Sequence, residues 1–257
     1  MRWLPPNGAL HGFALDRLLR WNLDVVFWLF AASQVLLVIA LVWRRRVAGA
    51  DTPVPSRSLA TRLLTEWLPL LAIAALYGWM LVTGHQLWAA RREAPPAAET
   101  VRVEVTGVQF QWYFRYPGAD GRYGAVQPEL INAPQGNPLG IDPGDAYGAD
   151  DVVSSILMLP AGHAVDLTLR SQDVIHGLFI PGMRLKQDAI PGMIGHLQFT
   201  PTVPGRYSIL CSQVCGLGHG RMQAMLRVVA EADFDRWMAA RERAALEAHT
   251  ASSEAAR

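Results

Sequence analysis

The distribution of apolar and polar positions divides the chain into three stretches. From Leu23 to Trp43 it reads LDVVFWLFAASQVLLVIALVW; after Asp24 come nineteen residues without a charge, and Ser33 and Gln34 are the only polar ones. A second run, Trp67 to Trp88, reads WLPLLAIAALYGWMLVTGHQLW and is uncharged with His85 neutral. At about 1.5 Å per residue, each run can cross a hydrocarbon core of about 30 Å. Trp and Tyr sit near the ends of both, as membrane interfaces favour. The pattern predicts a transmembrane hairpin over 1–92, with helices over about 23–43 and 67–88. The Pro- and Ala-rich linker REAPPAAET at 92–100 closes it.

Beyond the linker the period shortens. VRVEVTGVQFQWYFRY, at 101–116, alternates apolar with polar residues in its first half, which is the signature of a half-buried strand. Its second half predicts Phe110, Trp112, Phe114 and Tyr116 on one strand face. A Gly-, Pro- and Asp-rich stretch follows, PGADGRYG through PGDAYGADD, long for a loop in a compact domain. VVSSILML, HAVDLTLRS, HGLFIP, IGHLQFTP, GRYSIL and MQAMLRVVA then read as short strands between Pro and Gly punctuation. Many short strands at this spacing predict an all-β sandwich or barrel over 100–230. Residues 231–257 predict a charged, Ala-rich surface helix (EADFDRWMAARERAALEAH) followed by a flexible tail.

Charge settles orientation more than partnership. The net charge of +1 over 257 residues gives no case for a nucleic-acid partner. Arg44, Arg45, Arg46, Arg57 and Arg62 lie between the two apolar runs, against Arg91 and Arg92 beside Glu93 on the far side. The excess of arginine predicts a cytoplasmic link. The chain is then a two-pass protein of a bacterial-type inner (plasma) membrane, with both termini and the β domain on the periplasmic side. The first run starts late, is long and lacks a small-x-small exit, so it does not read as a cleaved signal.

The only two cysteines fall in CSQVCGLGHGRM, residues 211–222. A Cys211–Cys215 disulfide would close a loop of a few residues and constrain the unfolded chain little. Cys-x3-Cys-x3-His-x2-Met instead gathers two thiols, an imidazole and a thioether in one loop between two strands. Zinc has no use for Met. A single blue-copper site takes one Cys, two His and a weak Met, so the second Cys points to more than one copper. A further His must come from elsewhere: His176 stands at a strand end beside Gly and Pro, His163 in a PAGH turn and His196 in mid-strand.

The cysteine loop is similar to the dinuclear copper (CuA) loop of cytochrome c oxidase subunit II. DVIHGLFIPGMRLKQDAIPG at 173–192 resembles that family's stretch around its first copper His, and QFQWYFRY resembles its aromatic strand. The resemblance covers residues 20–230 and implies two membrane helices followed by an all-β cupredoxin-like Greek-key domain. It implies that Cys211 and Cys215 bridge two coppers, that His176 and His219 each bind one, and that Met222 and the Gln213 carbonyl are weak ligands. It further implies partnership with subunit I and other oxidase subunits, contact with membrane lipid, and electrons drawn from cytochrome c and passed to haem in subunit I for oxygen reduction.

The chain departs from the family's pattern in three places. Gln213 stands where the family has a Glu that also reaches a magnesium at the subunit I interface. A neutral amide is a poorer Mg²⁺ ligand than a carboxylate, which puts that magnesium in question here. Phe110 stands where the family has the Trp through which electrons come in, with Trp112 at the second aromatic position. Glu66 resembles a family Glu near a proton-path mouth, at a different spacing to Pro69. The acid-rich stretch 117–152, with six acids and one arginine, looks extended for the family; with Asp142, Asp145, Asp150, Asp151 and Asp173 it is a candidate docking surface for a basic cytochrome. The other readings open at this point are the CuA subunit of a nitric oxide reductase and a membrane-tethered copper-binding protein.

Overall fold

The computed structural model describes residues 4–47, 58–92 and 100–255. Arg57 and most of the 92–100 linker lie outside them. Two compact units are formed, Ala14–Ala90 and the remainder of the chain.

In the first unit, α1 runs over Gly12–Val47 with Arg44, Arg45 and Arg46 in its last turn. The second span opens with α2 (Leu59–Arg62), capped by Ser58, whose hydroxyl accepts the Thr61 N–H at 3.2 Å. It widens into a π turn over Leu63–Trp67 and continues as α3 (Leu68–Arg92). Pro69, which has no N–H for the ladder, directly follows the wide turn. Both helices outrun the apolar runs at 23–43 and 67–88. Hydropathy marks the part that needs lipid; the helical hydrogen bonds carry on through the polar flanks. None of the most apolar window of either helix is buried by the chain itself, and Trp21 and Trp79 pack with ring centroids 4.3 Å apart.

The second unit is a sandwich of two five-stranded sheets. Its strands are β1 (Val101–Val108), β2 (Gln111–Tyr116), β3 (Val152–Ser154), β4 (Ile156–Pro160) and β5 (Val165–Ser171). They continue with β6 (His176–Ile180), β7 (Leu185–Ala189), β8 (Gly195–Phe199), β9 (Gly205–Cys211) and β10 (Gln223–Val229). The sheet orders are β3-β2-β1-β5-β8 and β4-β10-β9-β6-β7. The pairs β1·β5 and β4·β10 are parallel, and the other pairs are antiparallel. Between the sheets lie Val103, Val105, Trp112, Phe114, Leu157, Leu159, Leu167, Leu169, Leu178, Ile209 and Leu226, all fully buried. Tyr116 ties the layers together: its hydroxyl donates to the Met158 carbonyl at 3.0 Å and accepts the Met158 N–H at 2.7 Å.

The strands differ from the sequence reading in two places. VVSSILML is not one strand, because β3 and β4 belong to different sheets. Ser154 makes the corner, its hydroxyl accepting the Ile156 N–H and donating to the Ile156 carbonyl, which satisfies the groups the crossing frees. β7 is an edge strand of polar sequence, LKQDA, and carries no alternation signal. At the C-terminus, α4 (Glu231–Ala255) continues through the stretch expected to be a flexible tail. Its first turns dock through Phe234 and Trp237, the Trp237 ring 5.2 Å from that of Tyr116.

The 117–151 connection is an ordered cover on the outer face of the first sheet. This explains why Glu104 and Thr106, which alternation places outside, are 7% and 4% exposed. Beneath the cover, Arg115 is buried against Asp151, donating through Nε at 3.0 Å and through Nη2, and it also donates to the Gly124 carbonyl at 2.7 Å. Glu104 lies 3.8 Å from Arg115 and accepts Arg170 Nε at 2.8 Å. Asp151 is therefore a structural carboxylate and drops out of the candidate docking set. Asp142 and Asp145 accept hydrogen bonds from Gln127 and Gly144, and from Ala125 and Tyr147, which shape the cover from within.

The N-terminal segment belongs with this unit, although composition groups it with the hairpin. Gly8 N–H donates to the Gly182 carbonyl at 2.8 Å, Thr202 N–H to the Gly8 carbonyl at 2.7 Å and Leu10 N–H to the Thr200 carbonyl at 3.0 Å. Ala9 is fully buried. A side chain at Gly8 has no room, since its Cβ would come 2.5 Å from the Tyr207 hydroxyl.

Candidate metal centre

The donors converge at one end of the second sheet. Cys211 is the last residue of β9, Met222 immediately precedes β10, and the Cys211 N–H donates to the Met222 carbonyl at 3.1 Å, closing the loop between them. Within the loop, short turns link His219 to Gly216 and Met222 to His219. Gly216 has φ +136°, a conformation that needs glycine. Ser212 N–H donates to the Gly177 carbonyl at 2.9 Å. Gly177 allows that approach, because a Cβ there would overlap the Ser212 hydroxyl.

His176 opens β6 beside this loop and is fully buried. One ring nitrogen of His176 and the sulfurs of Cys211 and Cys215 lie within 4.8 Å of one another. The two sulfurs are 3.8 Å apart and both cysteines are free. Cys215 Sγ is 3.8 Å from His219 Nδ1 and 3.7 Å from Met222 Sδ. The Gln213 carbonyl is 3.1 Å from Cys211 Sγ. All six residues expected from the sequence thus meet. The other candidate histidines stand elsewhere: His163 pairs with Glu231 at 3.4 Å and His196 with Asp166 at 3.6 Å.

The electrostatics prepare His176 as a donor. Its Nε2 meets Asp173 Oδ1 at 2.7 Å. Burial works to raise the Asp173 carboxyl, but hydrogen bonds from His176 and from the Gln109 and Val174 N–H groups outweigh it and hold it below the usual aspartate value. An ionised Asp173 makes Nε2 the protonated nitrogen. Nδ1 is left buried with no hydrogen-bond partner among the described residues. An orphaned lone pair on an imidazole that stands beside two thiols fits a soft metal. Burial, with Cys211 and Asp173 nearby, pushes the Cys215 thiol up to about 11; a metal would displace that proton.

The family model described as cytochrome c oxidase subunit II, periplasmic domain, matches residues 101–229. The alternative cytochrome c oxidase subunit 2 of Bradyrhizobium diazoefficiens is 36% identical over 245 residues, covering 92% of this chain and 83% of that one. The chain belongs to the cytochrome c oxidase subunit II family. Cytochrome c oxidase subunit 2 of Synechocystis sp. is 30% identical over 138 residues, 54% of this chain and 32% of that one. Among solved structures, the periplasmic domain of cytochrome oxidase subunit II from Bradyrhizobium japonicum aligns at 26% identity and a TM-score of 0.43, over 58% of this chain and 96% of that one. As a subunit II, the protein is a membrane-anchored member of a haem-copper terminal oxidase, an oxidoreductase complex. Its sandwich is the family's cupredoxin-like domain, and copper and electron transport come with the family.

Phe110 is not on β2; it lies in the turn between β1 and β2, 39% exposed, with its ring against Gly216 and Gly218 of the cysteine loop. Trp112 is wholly buried, its ring edge-on to His176 at 5.8 Å, so Phe110 and not Trp112 is open to solvent. Glu66 lies on the π turn of the second span. Asp173, read from the sequence as a docking carboxylate, is instead the anchor of His176. Gln109 drew no notice in the sequence, yet its N–H donates to Asp173 Oδ2 at 2.7 Å and its side-chain amide to the Cys215 carbonyl at 2.5 Å. Its one sequence signal is its place in QFQWYFRY, beside the turn that meets the loop.

Proposed function

We propose that this subunit II is the electron-accepting subunit of its oxidase. It takes electrons from a cytochrome c on the outer side of the membrane and hands them to haem in subunit I, where oxygen is reduced. The centre is dinuclear copper. Cys211 and Cys215 would hold the copper through their thiolates, His176 and His219 would be its imidazole ligands, and Met222 and the Gln213 carbonyl would be weak ligands. When bound, the coppers supply uptake and release of single electrons. The observation that carries the reading is the buried imidazole of His176, its Nδ1 without a hydrogen-bond partner among the described residues, with a ring nitrogen within 4.8 Å of two unpaired cysteine sulfurs.

The chain's own residues do the rest. His176, Cys215 and Met222 are 0%, 4% and 1% exposed, which keeps water from these three donors, while Cys211 and His219 lie nearer the surface. β6, β9 and β10 fix the donors on one sheet, so they keep their places in either charge state. Val214 and Leu217, 81% and 107% exposed, make an apolar rim beside Phe110, and such a rim suits a partner that docks briefly and desolvates the contact. The arginines at the end of α1 support a cytoplasmic link between the helices, with the β domain outside.

Replacing His176 by Ala in the full chain abolishes the copper spectrum, whereas His163→Ala and His196→Ala leave it intact. Optical and paramagnetic resonance spectra of the three variants check this. Loss of the spectrum in His196→Ala alone contradicts the assignment.

A further inference from the structure

We propose that Gln109 is a positioning residue that holds the two halves of the donor set in register across the sandwich; the proposal rests on the copper reading above. The donors all stand on the second sheet, in two separate pieces of chain. His176 opens β6, whereas Cys211 ends β9 and the other four lie in the loop between β9 and β10. Gln109 comes from the opposite sheet, in the turn between β1 and β2, and it touches both pieces. Its backbone N–H holds Asp173 Oδ2, while Asp173 Oδ1 holds His176 Nε2, each at 2.7 Å. Its side-chain amide holds the Cys215 carbonyl at 2.5 Å. One residue thus connects the imidazole and the buried thiol through three hydrogen bonds.

The loop has few other ties at that point. Its internal bonds run from His219 to Gly216, Arg221 to Gly218 and Met222 to His219, each only three residues back along the chain. The bond from Ser212 to Gly177 anchors its start. The Gln109 amide reaches the Cys215 carbonyl from the opposite sheet. Gly216 and Gly218 let the turn come this close: a Cβ on Gly216 would lie 2.9 Å from Gln109 Nε2 and 3.1 Å from the Phe110 ring.

The expected consequence is positional. Gln109 is partly open to solvent, so the amide bond adds little to global stability, as neutral hydrogen bonds exchanged for water generally do. It does limit where Cys215 sits relative to His176. A centre that shares one electron between two ions depends on the ligand sets of both ions staying matched. Freeing the Cys215 carbonyl lets the halves drift, so the sharing becomes unequal and the metal is held less tightly.

The test uses the full chain in its assembled oxidase, with Gln109→Ala and the isosteric Gln109→Glu. Neither side chain donates to a carbonyl at neutral pH, and both variants keep the backbone bond to Asp173. The expected result is an unequal hyperfine pattern, a shifted midpoint potential and copper release to a chelator that is faster by about 10- to 100-fold, the range for outer-sphere partners of metal ligands. The melting temperature of the metal-free variants stays at the wild-type value. Spectra, potential and release rate that match wild type in both variants overturn the proposal. So does a lowered melting temperature of both metal-free variants, which assigns Gln109 to the fold instead. If wild type itself lacks a shared-electron spectrum, the copper reading fails and not the clamp alone.

Discussion

Cys215→Ser is expected to abolish the shared-electron copper spectrum and to cut electron uptake from reduced cytochrome c by more than about 100-fold. Outer-sphere partners of a metal ligand contribute about 10- to 100-fold, and removal of a bridging ligand exceeds that. Cys215 is nearly buried and lies at the middle of the donor set, with sulfur distances of 3.8 Å to Cys211, 3.8 Å to His219 Nδ1 and 3.7 Å to Met222. A serine oxygen is harder and far less acidic than a thiol, so it neither attracts copper nor bridges it at neutral pH. The loop itself should persist, because its turns are made by backbone groups. Stopped-flow reduction by cytochrome c, with circular dichroism as the folding control, checks the result. A serine variant that keeps the shared spectrum removes Cys215 from the centre.

Arg115→Met is expected to destabilise the β domain by about 3–5 kcal/mol, a drop in melting temperature on the order of 10 °C. The cause lies away from the metal. Arg115 and Asp151 have side-chain exposures of 1% and 0%; burial already raises the Asp151 carboxyl, and methionine would leave it buried without its main partner. The Gly124 carbonyl would lose its donor too. Changing both partners, Arg115→Met with Asp151→Leu, should recover most of the loss, because a buried pair replaced by apolar groups is often neutral. The copper spectrum of the folded fraction should not change. Calorimetry of both variants decides. An unshifted single variant means that the cover over the first sheet is held by other contacts.

This second case also shows why part of the fold was hidden in the sequence. Alternation in VRVEV puts Glu104 at the surface, and nothing local says that residues forty positions away will bury it. The partners of Arg115 and Asp151 are set by tertiary packing, as are the crossing at Ser154 and the N-terminal segment around Ala9. β7 has a polar edge-strand sequence, which no periodicity marks. The membrane spans were legible because lipid demands long uncharged runs, although their helical ends were not. The donor set was legible for a different reason. Cys211, Gln213, Cys215, His219 and Met222 lie within one short loop, so the chemistry is visible without the fold. His176 could not be told from His163 and His196 by residue chemistry alone; the family resemblance singled it out, and its buried Nδ1 and its bond to Asp173 are three-dimensional facts. Gln109 and Asp173 act through contacts made between distant segments, and sequence spacing says nothing of them.

The central claim is that this chain holds two coppers that share one electron. The most direct measurement is electron paramagnetic resonance of the full chain loaded with copper, paired with a metal count by mass spectrometry. The account predicts two coppers per chain and one unpaired electron spread evenly over both nuclei, with the signal lost on reduction. One copper per chain, with hyperfine lines from a single nucleus, would contradict it.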